Sequence, residues 1–172
     1  MVQTIWTTRI FNFDFPAGMF PVIISRLRGA YPRIKQIAEK SSAEQLINRI
    51  GGKWSIQEQI GHLIDLEELH HGRIYDFQNN ANELRAWEVT NKKTFEADHN
   101  SRNIQDLLSE FSTARESFVA DLLKFKDDEL IKTALHPRIQ KQMRVVDMAF
   151  FVAEHDDHHI AKMWEIFEMT EG

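Results

Sequence analysis

The chain has 172 residues, 42% of them hydrophobic, and a formal net charge of −5 at pH 7; this length provides one buried core and does not require a second domain. Its lysines and arginines are scattered among acidic residues, so the sequence lacks the basic stripe that a nucleic-acid partner requires. The chain contains no cysteine, which excludes disulfides, thiolate metal ligands and a cysteine nucleophile, so any metal must be bound through nitrogen and oxygen.

Residues 1–16 are rich in large aromatic side chains: Trp6, Phe11, Phe13 and Phe15. This density predicts an N-terminal arm that packs on the body of the protein. The sequence shows neither the pattern of a secretion signal nor an apolar stretch of membrane-spanning length. We therefore expect a cytoplasmic protein without a membrane partner, folded as a single domain over residues 1–172.

Two helical segments are predicted after the arm. Pro21 fits the first turn of a helix, and Pro32 predicts a kink or a restart, so this first helix is expected to be broken. Ser41 and Glu44 have the spacing of a capping box, which predicts a short helical turn over residues 43–50.

The second long helix is predicted to begin after Ser55, which has capping-box spacing to Glu58, and to end near Phe77. Six of its positions follow the helical period and define a predicted buried stripe: Ile56, Ile60, Leu63, His70, Ile74 and Phe77. His62 lies at the edge of that stripe. Residues 79–100 are polar and irregular, which predicts a long crossover connection with at most a short turn of helix.

A third helix of about 22 residues is predicted between Ile104 and Phe125 by the period of its apolar residues. Residues 130–143 are interpreted as a loop, and a last helix is predicted from about Arg144 to Glu168. Apolar and polar residues nowhere alternate over a stretch long enough to predict a strand. The predicted fold class is therefore all-α, a four-helix bundle with a long crossover connection.

Three of the eight histidines fall within five residues of the last predicted helix: His155, His158 and His159. In a helix, His155 and His159 are one turn apart, about 6 Å along the axis, and on nearly the same face, so both can bind one metal ion. A third ligand must come from elsewhere, and His62 is the best candidate because of its helical context. Spacing alone leaves two interpretations open, an open three-histidine metal site or hydrogen-bonded histidines of the core.

The residues between the paired histidines have other possible roles. His158 could be a fourth ligand, a proton shuttle or a solvent-facing residue, and we favour a proton shuttle or a bystander. Asp156 and Asp157 could orient a ligating imidazole, but a polar helix face favours their interpretation as solvated charges.

The remaining histidines indicate no second metal site. His70 and His71 each follow a glutamate by three residues, which is the spacing of di-iron bundles. A di-iron site requires the same motif on a second helix, and the last helix offers only Asp156-x-x-His159, which argues against it. Two histidines in predicted loops are interpreted as structural or surface residues: His99 and His136.

Three segments together resemble the DinB/YfiT-like superfamily over nearly the whole chain: Arg26-Leu27-Arg28-Gly29 with Pro32 and Arg33, Lys53-Trp54-Ser55-Ile56 leading through Glu58 to His62-Leu63, and Glu154-His155-Asp156-Asp157-His158-His159. The most specific part is one histidine early in the second helix combined with a His-x-x-x-His on the last. The resemblance implies a four-helix bundle that binds one divalent metal ion through His62, His155 and His159, and it implies a homodimer.

The resemblance leaves the reaction open, because characterised relatives include bacillithiol S-transferases and a mycothiol-dependent isomerase, whereas others are known only as metal-dependent hydrolases. Our leading hypothesis is a metal-dependent enzyme that transfers a low-molecular-weight thiol to a small electrophile. The alternatives are a metal-dependent hydrolase of a small substrate, with His158 moving the proton, and a non-catalytic metal-binding or interaction module. Three imidazoles suit zinc, nickel or iron, so the identity of the ion stays open.

Overall fold

The computed structural model describes residues 3–170, which form a bundle of helices with one small hairpin. The helices are α1 (Phe20–Arg28), α2 (Ala30–Lys40), α3 (Ala43–Ile47), α4 (Ile56–Asp65), α5 (Glu67–Gln78), α6 (Lys92–Glu96), α7 (Ile104–Leu122) and α8 (Val145–Thr170), and the strands are β1 (Thr133–His136) and β2 (Lys141–Arg144). The predicted four-helix bundle is confirmed, with α1–α2, α4–α5, α7 and α8 as its four members. None of the helices within residues 3–170 has both the length and the apolar character needed to cross a membrane.

Two members of the bundle are interrupted. The first breaks at Gly29, and Pro32 follows in the first turn of α2, where its missing N–H leaves no helical bond unmade. The second was predicted as one helix to Phe77, but it divides at Leu66 into α4 and α5. Backbone hydrogen bonding continues across that division, since the N–H of Leu66 donates to the carbonyl of His62.

One of the two predicted capping boxes is present. The hydroxyl of Ser55 accepts from the N–H of Glu58, and the Glu58 carboxylate accepts from the N–H of Ser55. The prediction of a box at Ser41 was wrong, because its hydroxyl donates to the end of α2 and the box before α3 is formed by Ser42 with Gln45.

The segment predicted as the loop 130–143 contains the hairpin. Strand β1 pairs antiparallel with β2, from Thr133 opposite Arg144 to His136 opposite Lys141. Four-residue strands are too short for a clear alternation in sequence, which is why the loop prediction was wrong here. The hairpin places His136 and the turn residue Arg138 beside α8.

The buried apolar side chains form two clusters, and α8 contributes to both. Its residues up to Ala153 belong to the first cluster, and its residues from Ile160 onward belong to the second. The segment between them, residues 154–159, carries only polar side chains. The histidine cluster therefore lies where α8 passes from one apolar cluster to the other.

Candidate metal site

Helices α4 and α8 bring three histidines to one buried point: His62, His155 and His159. One ring nitrogen of each lies within 4.8 Å of the others. The side chains are almost fully buried, and the ring centroids of the two α8 histidines are 4.4 Å apart. One turn of helix separates this pair, so their side chains leave α8 on the same face. The structure thus brings together the three residues that the sequence singled out as candidate ligands.

A hydrogen bond determines which nitrogen of His159 is available to a ligand. Its Nδ1 lies 2.5 Å from the side-chain oxygen of Gln59. An amide oxygen only accepts, so Nδ1 carries the proton and Nε2 keeps its lone pair. That Nε2 lies 3.0 Å from Nε2 of His155, inside the cluster.

His62 is oriented by a chain of hydrogen bonds that ends at a carboxylate. The hydroxyl of Thr94, on α6, donates to Asp65 over 2.9 Å and lies 3.1 Å from Nδ1 of His62. Because the hydrogen of that hydroxyl is used in the bond to Asp65, the hydroxyl oxygen accepts a hydrogen bond from the N–H at Nδ1 of His62. Nε2 of His62 therefore keeps its lone pair. His99 reinforces the chain, since its Nε2 donates to the same carboxylate over 2.9 Å. Partners of this kind typically orient metal-ligating imidazoles.

His155 lacks such a partner. Its Nδ1 is buried without a hydrogen bond to any residue in the range 3–170. The Trp6 ring of the N-terminal arm packs on the imidazole, with the two ring centroids 4.8 Å apart. A buried imidazole whose Nδ1 has no partner, beside two others with inward lone pairs, fits the donor set that divalent zinc, nickel or iron prefers.

Burial keeps the three imidazoles neutral. It lowers the pKa of His62 to about 4, although Asp65 acts in the opposite direction. Burial, followed by the charge that a neighbouring imidazole would carry, lowers the pKa of His155 and of His159 well below 6.5. At neutral pH no proton competes for the lone pairs that a metal ion would use.

A cavity of about 370 Å³ reaches the three histidines, and its size is that of a small-molecule site. Among residues 3–170, no aspartate or glutamate lines it. The lining instead combines aromatic and cationic side chains: Trp6, Trp54, Trp87, Phe95, Phe151, Lys53, Arg73, Arg138 and Lys162. The cavity is therefore suited to a small molecule with apolar surface.

His158 is buried and lines this cavity, which excludes the solvent-facing residue that was one of its three possible roles. Its ring centroid lies 5.3 Å from that of His159, but its nitrogens are outside the cluster that could share one ion. Burial, followed by the charge of Lys162, lowers its pKa to about 4. His158 is therefore a neutral imidazole in the wall of the cavity.

Asp156 is not a solvated charge, contrary to the prediction, whereas the side chain of Asp157 is partly exposed and ion-paired. Asp156 is fully buried and lies 2.8 Å from Arg115 of α7, and burial raises its pKa to about 7. Asp157 pairs with Arg26 and Arg33, which joins α1 and α2 to α8. The prediction failed for Asp156 because α7 covers that side of α8, whereas the side that carries Glu154 and Asp157 stays partly exposed.

The other histidines occupy separate places. His70 is buried at the cavity wall, 3.9 Å from Glu67, whereas His71 contacts Asp121 at 3.0 Å. Neither lies in the group of three. His99, predicted to be a structural or surface residue, is buried and bonded to Asp65, so its role is structural.

Sequence reasoning missed several cavity residues, among them Arg73, His136 and Arg138. His136 was interpreted as a structural or surface residue of a loop, but it is buried on β1 and lines the cavity. The unrecognised hairpin is what brings His136 and Arg138 to the cavity. Unless the hairpin is recognised, no pattern in the sequence predicts that these two residues lie near Arg73 of α5.

Comparison with known proteins agrees with this fold. A family model described as the DinB superfamily matches residues 26–163. Among solved structures, the chain is similar to YfiT from Bacillus subtilis, described as a probable metal-dependent hydrolase with an unusual four-helix bundle topology. The TM-score is 0.75 at 18% identity, covering 95% of this chain and 94% of that chain. A search of curated proteins found no match.

Proposed function

This chain belongs to the DinB superfamily, and on that premise we propose that it is a metal-dependent enzyme acting on a small molecule, with His62, His155 and His159 as the metal ligands. The observation that carries the proposal is the convergence of three neutral imidazoles at the wall of a cavity large enough for a substrate. Three protein ligands leave a coordination position for water or substrate, as in catalytic rather than structural sites.

The residues around that coordination position have different roles in this proposal. When bound, the ion would lower the pKa of a coordinated water or thiol toward neutrality. Gln59 and Thr94 hold two of the imidazoles in the tautomer that ligation requires. The rings of Trp6 and Trp54 pack against the cluster and exclude water from it. His158 is the proton carrier in this proposal, because its imidazole lines the cavity and its ring centroid is 5.3 Å from that of His159.

For the reaction, we favour transfer of a low-molecular-weight thiol to a small electrophile. The thiol gives its proton to His158 and its sulfur forms a bond to the electrophilic carbon, while the bond between that carbon and its leaving group breaks. The leaving group departs with the electron pair and takes up the proton from His158. No carboxylate lines the described cavity, so a strong general base of the kind that many hydrolases use is missing from its wall. A thiol activated by the ion does not need one.

Hydrolysis is the second candidate, and the description of YfiT as a probable metal-dependent hydrolase favours it. Both reactions would use the same three ligands. In hydrolysis, His158 would move the proton from the attacking water to the leaving group.

A paired assay separates the two reactions. The protein, loaded with zinc, nickel or iron, is incubated with a panel of small electrophiles with and without thiols, and with a panel of esters and amides. We expect a product that requires both thiol and metal, that disappears in His159→Ala and that persists in His71→Ala. Hydrolysis of esters or amides without thiol, and no thiol-dependent product, would contradict thiol transfer and support hydrolysis. No turnover of either panel by protein with stoichiometric metal would contradict an enzymatic function and favour a binding module.

A further inference from the structure

The cavity wall contains a buried arginine that forms no ion pair within residues 3–170. Arg73 of α5 is 2% exposed, and its one hydrogen bond within residues 3–170 runs from Nε to the backbone carbonyl of Arg85 over 3.3 Å. The nearby carboxylate of Asp76 is held by the Arg85 guanidinium through bonds of 2.8 and 3.1 Å. A buried charge without a partner is unfavourable unless something else binds it.

A second guanidinium lies on the same wall. Arg138, in the hairpin turn, donates from Nη1 to the carbonyl of Thr7 over 3.2 Å, whereas its Nη2 is buried without a partner among the described residues. Its guanidinium carbon lies 5.6 Å from the ring centroid of Phe151 and 5.9 Å from that of Trp6. The side chain is therefore held between aromatic rings with one donor group left over.

His136 adds a third donor. It is 1% exposed, and its Nδ1 accepts from the backbone N–H of Arg138 over 3.2 Å. The proton of the neutral ring is therefore on Nε2, which is buried and without a partner in the range 3–170. Burial and the charges of Arg73 and Arg138 lower its pKa to about 3, so the ring stays neutral and donates through Nε2.

These three side chains offer donors and no acceptor. Arg73 and Arg138 also repel each other, and burial followed by this repulsion lowers the pKa of Arg73 to about 10. An oxyanion would accept hydrogen bonds from all three and neutralise the charge, since guanidinium groups match the geometry of carboxylate and phosphate.

The arrangement lies close to the histidine cluster. Trp6 packs against both Arg138 and His155, and Phe151 precedes His155 by one turn of α8. One aromatic ring therefore separates the unpartnered guanidinium from a proposed metal ligand. A single small molecule in the cavity would contact both.

We propose that Arg73, Arg138 and His136 form an oxyanion subsite that binds a carboxylate or phosphate of the substrate and directs its reactive group toward the three histidines. The direction toward the histidines rests on the proposed function; the anion site itself does not. The substrate class is thereby narrowed to small molecules with an oxyanion at one end and an apolar portion between it and the reacting group.

Calorimetric titration of the metal-free protein tests the subsite with three ring probes: benzoate, phenyl phosphate and neutral benzamide. We expect benzoate or phenyl phosphate to bind at least about tenfold more tightly than benzamide, since only the anions use the guanidinium groups. The tighter of the two anions identifies the oxyanion. Equal binding of benzamide would overturn the proposal, because the cavity would then recognise the ring alone.

Variants assign the effect to residues. Arg138→Gln and Arg73→Gln should each weaken anion binding by about tenfold or more, whereas Arg102→Gln, which removes a surface charge paired with Glu110, should not. Arg138 is only half-buried, so Arg138→Gln is expected to fold even if Arg73→Gln does not. Unchanged anion binding in a folded Arg138→Gln would contradict the subsite.

Metal content measured on the same samples keeps this proposal separate from the proposed function. The arginine variants should keep their metal, and His159→Ala should lose metal but still bind the anion. Wild-type protein that binds metal but no anion would overturn the subsite alone. Protein that binds the anion but no metal would overturn the metal site alone.

Discussion

At the scale of single residues, hydrogen bonds to Nδ1 decide which imidazole nitrogens face the cluster. Thr94→Val removes the hydroxyl that accepts from His62 while it keeps nearly the same volume. We expect the metal affinity to fall by about 10–100-fold, because the imidazole loses its fixed tautomer and orientation. Competition with a chromophoric chelator measures this change.

Thr113→Val is the matched control, because Thr113 is exposed on α7 and its hydroxyl donates only to the carbonyl of Ser109. Its metal affinity should equal that of the wild type. An unchanged affinity in Thr94→Val, or an equal loss in both variants, would contradict the orienting role of Thr94.

Neutral buried histidines make the stability of the metal-free protein depend on pH. The pKa is lowered to about 4 in His62 and His158 and to about 3 in His136, against about 6.5 in the unfolded chain. Between these values the unfolded state binds more protons, so the free energy of unfolding falls as pH decreases from about 6.5 to 4, by up to about 1.4 kcal/mol per pH unit for each group. Asp156 acts in the opposite direction, because its pKa is raised to about 7, but it is one group against these three and against His155 and His159, whose pKa values are also lowered.

Urea unfolding at pH 7.5, 6 and 5 measures this dependence. His136→Gln should show a smaller decrease than the wild type, since it removes one of the groups. A free energy of unfolding that stays constant or increases toward pH 5 would contradict the neutral state of these histidines.

Residue spacing predicted part of the site. The i, i+4 pair His155 and His159 follows from helical periodicity alone, and His62 was added because of its context and the resemblance. The environment of Asp156 could not be predicted in this way, because periodicity describes one helix and not how many neighbours surround it. Arg115, which binds Asp156, comes from a different helix, α7.

At the scale of elements, the close approach of α4 to the turn His99–Ser101 depends on a glycine. A Cβ on Gly61 would lie 2.2 Å from the ring of His99. We expect Gly61→Ala to lower the free energy of unfolding by about 1–3 kcal/mol, because His99 must move away from Asp65 to make room. Urea unfolding of the variant measures this loss.

Gly18→Ala provides the control, since nothing lies within 4 Å of a Cβ at Gly18. Its free energy of unfolding should stay within about 0.5 kcal/mol of the wild type. Equal stability of the Gly61 and Gly18 variants would contradict the packing of His99 against α4.

Long helices were predictable and short strands were not. The predicted stripe of α4 and α5 extends over about six turns, and all six of its residues are buried. Strands β1 and β2 have four residues each, and their pairing depends on a contact between segments that local sequence does not encode. Because these strands were not predicted, the positions of His136 and Arg138 in the cavity wall were not predicted either.

At the scale of the whole molecule, the proposed metal would join α4 to the part of α8 that lies between the two apolar clusters. A ligand that binds only the folded state stabilises it, by about 4 kcal/mol when its free concentration is 1,000 times the dissociation constant. We therefore expect zinc or nickel to raise the unfolding temperature of chelator-treated protein in a thermal melt. Magnesium is the control and should have little effect, since it prefers oxygen ligands. Identical melting curves with and without zinc or nickel would contradict a site inside the bundle.

Metal content is the measurement that tests the central claim most directly. Elemental analysis of the purified protein should find about one divalent ion per chain in the wild type and in His71→Ala, and almost none in His155→Ala and His159→Ala. Circular dichroism should show that both metal-free variants keep their helical content, so that loss of metal is not loss of fold. Full metal content in both of those variants would contradict the assignment of His155 and His159 as ligands.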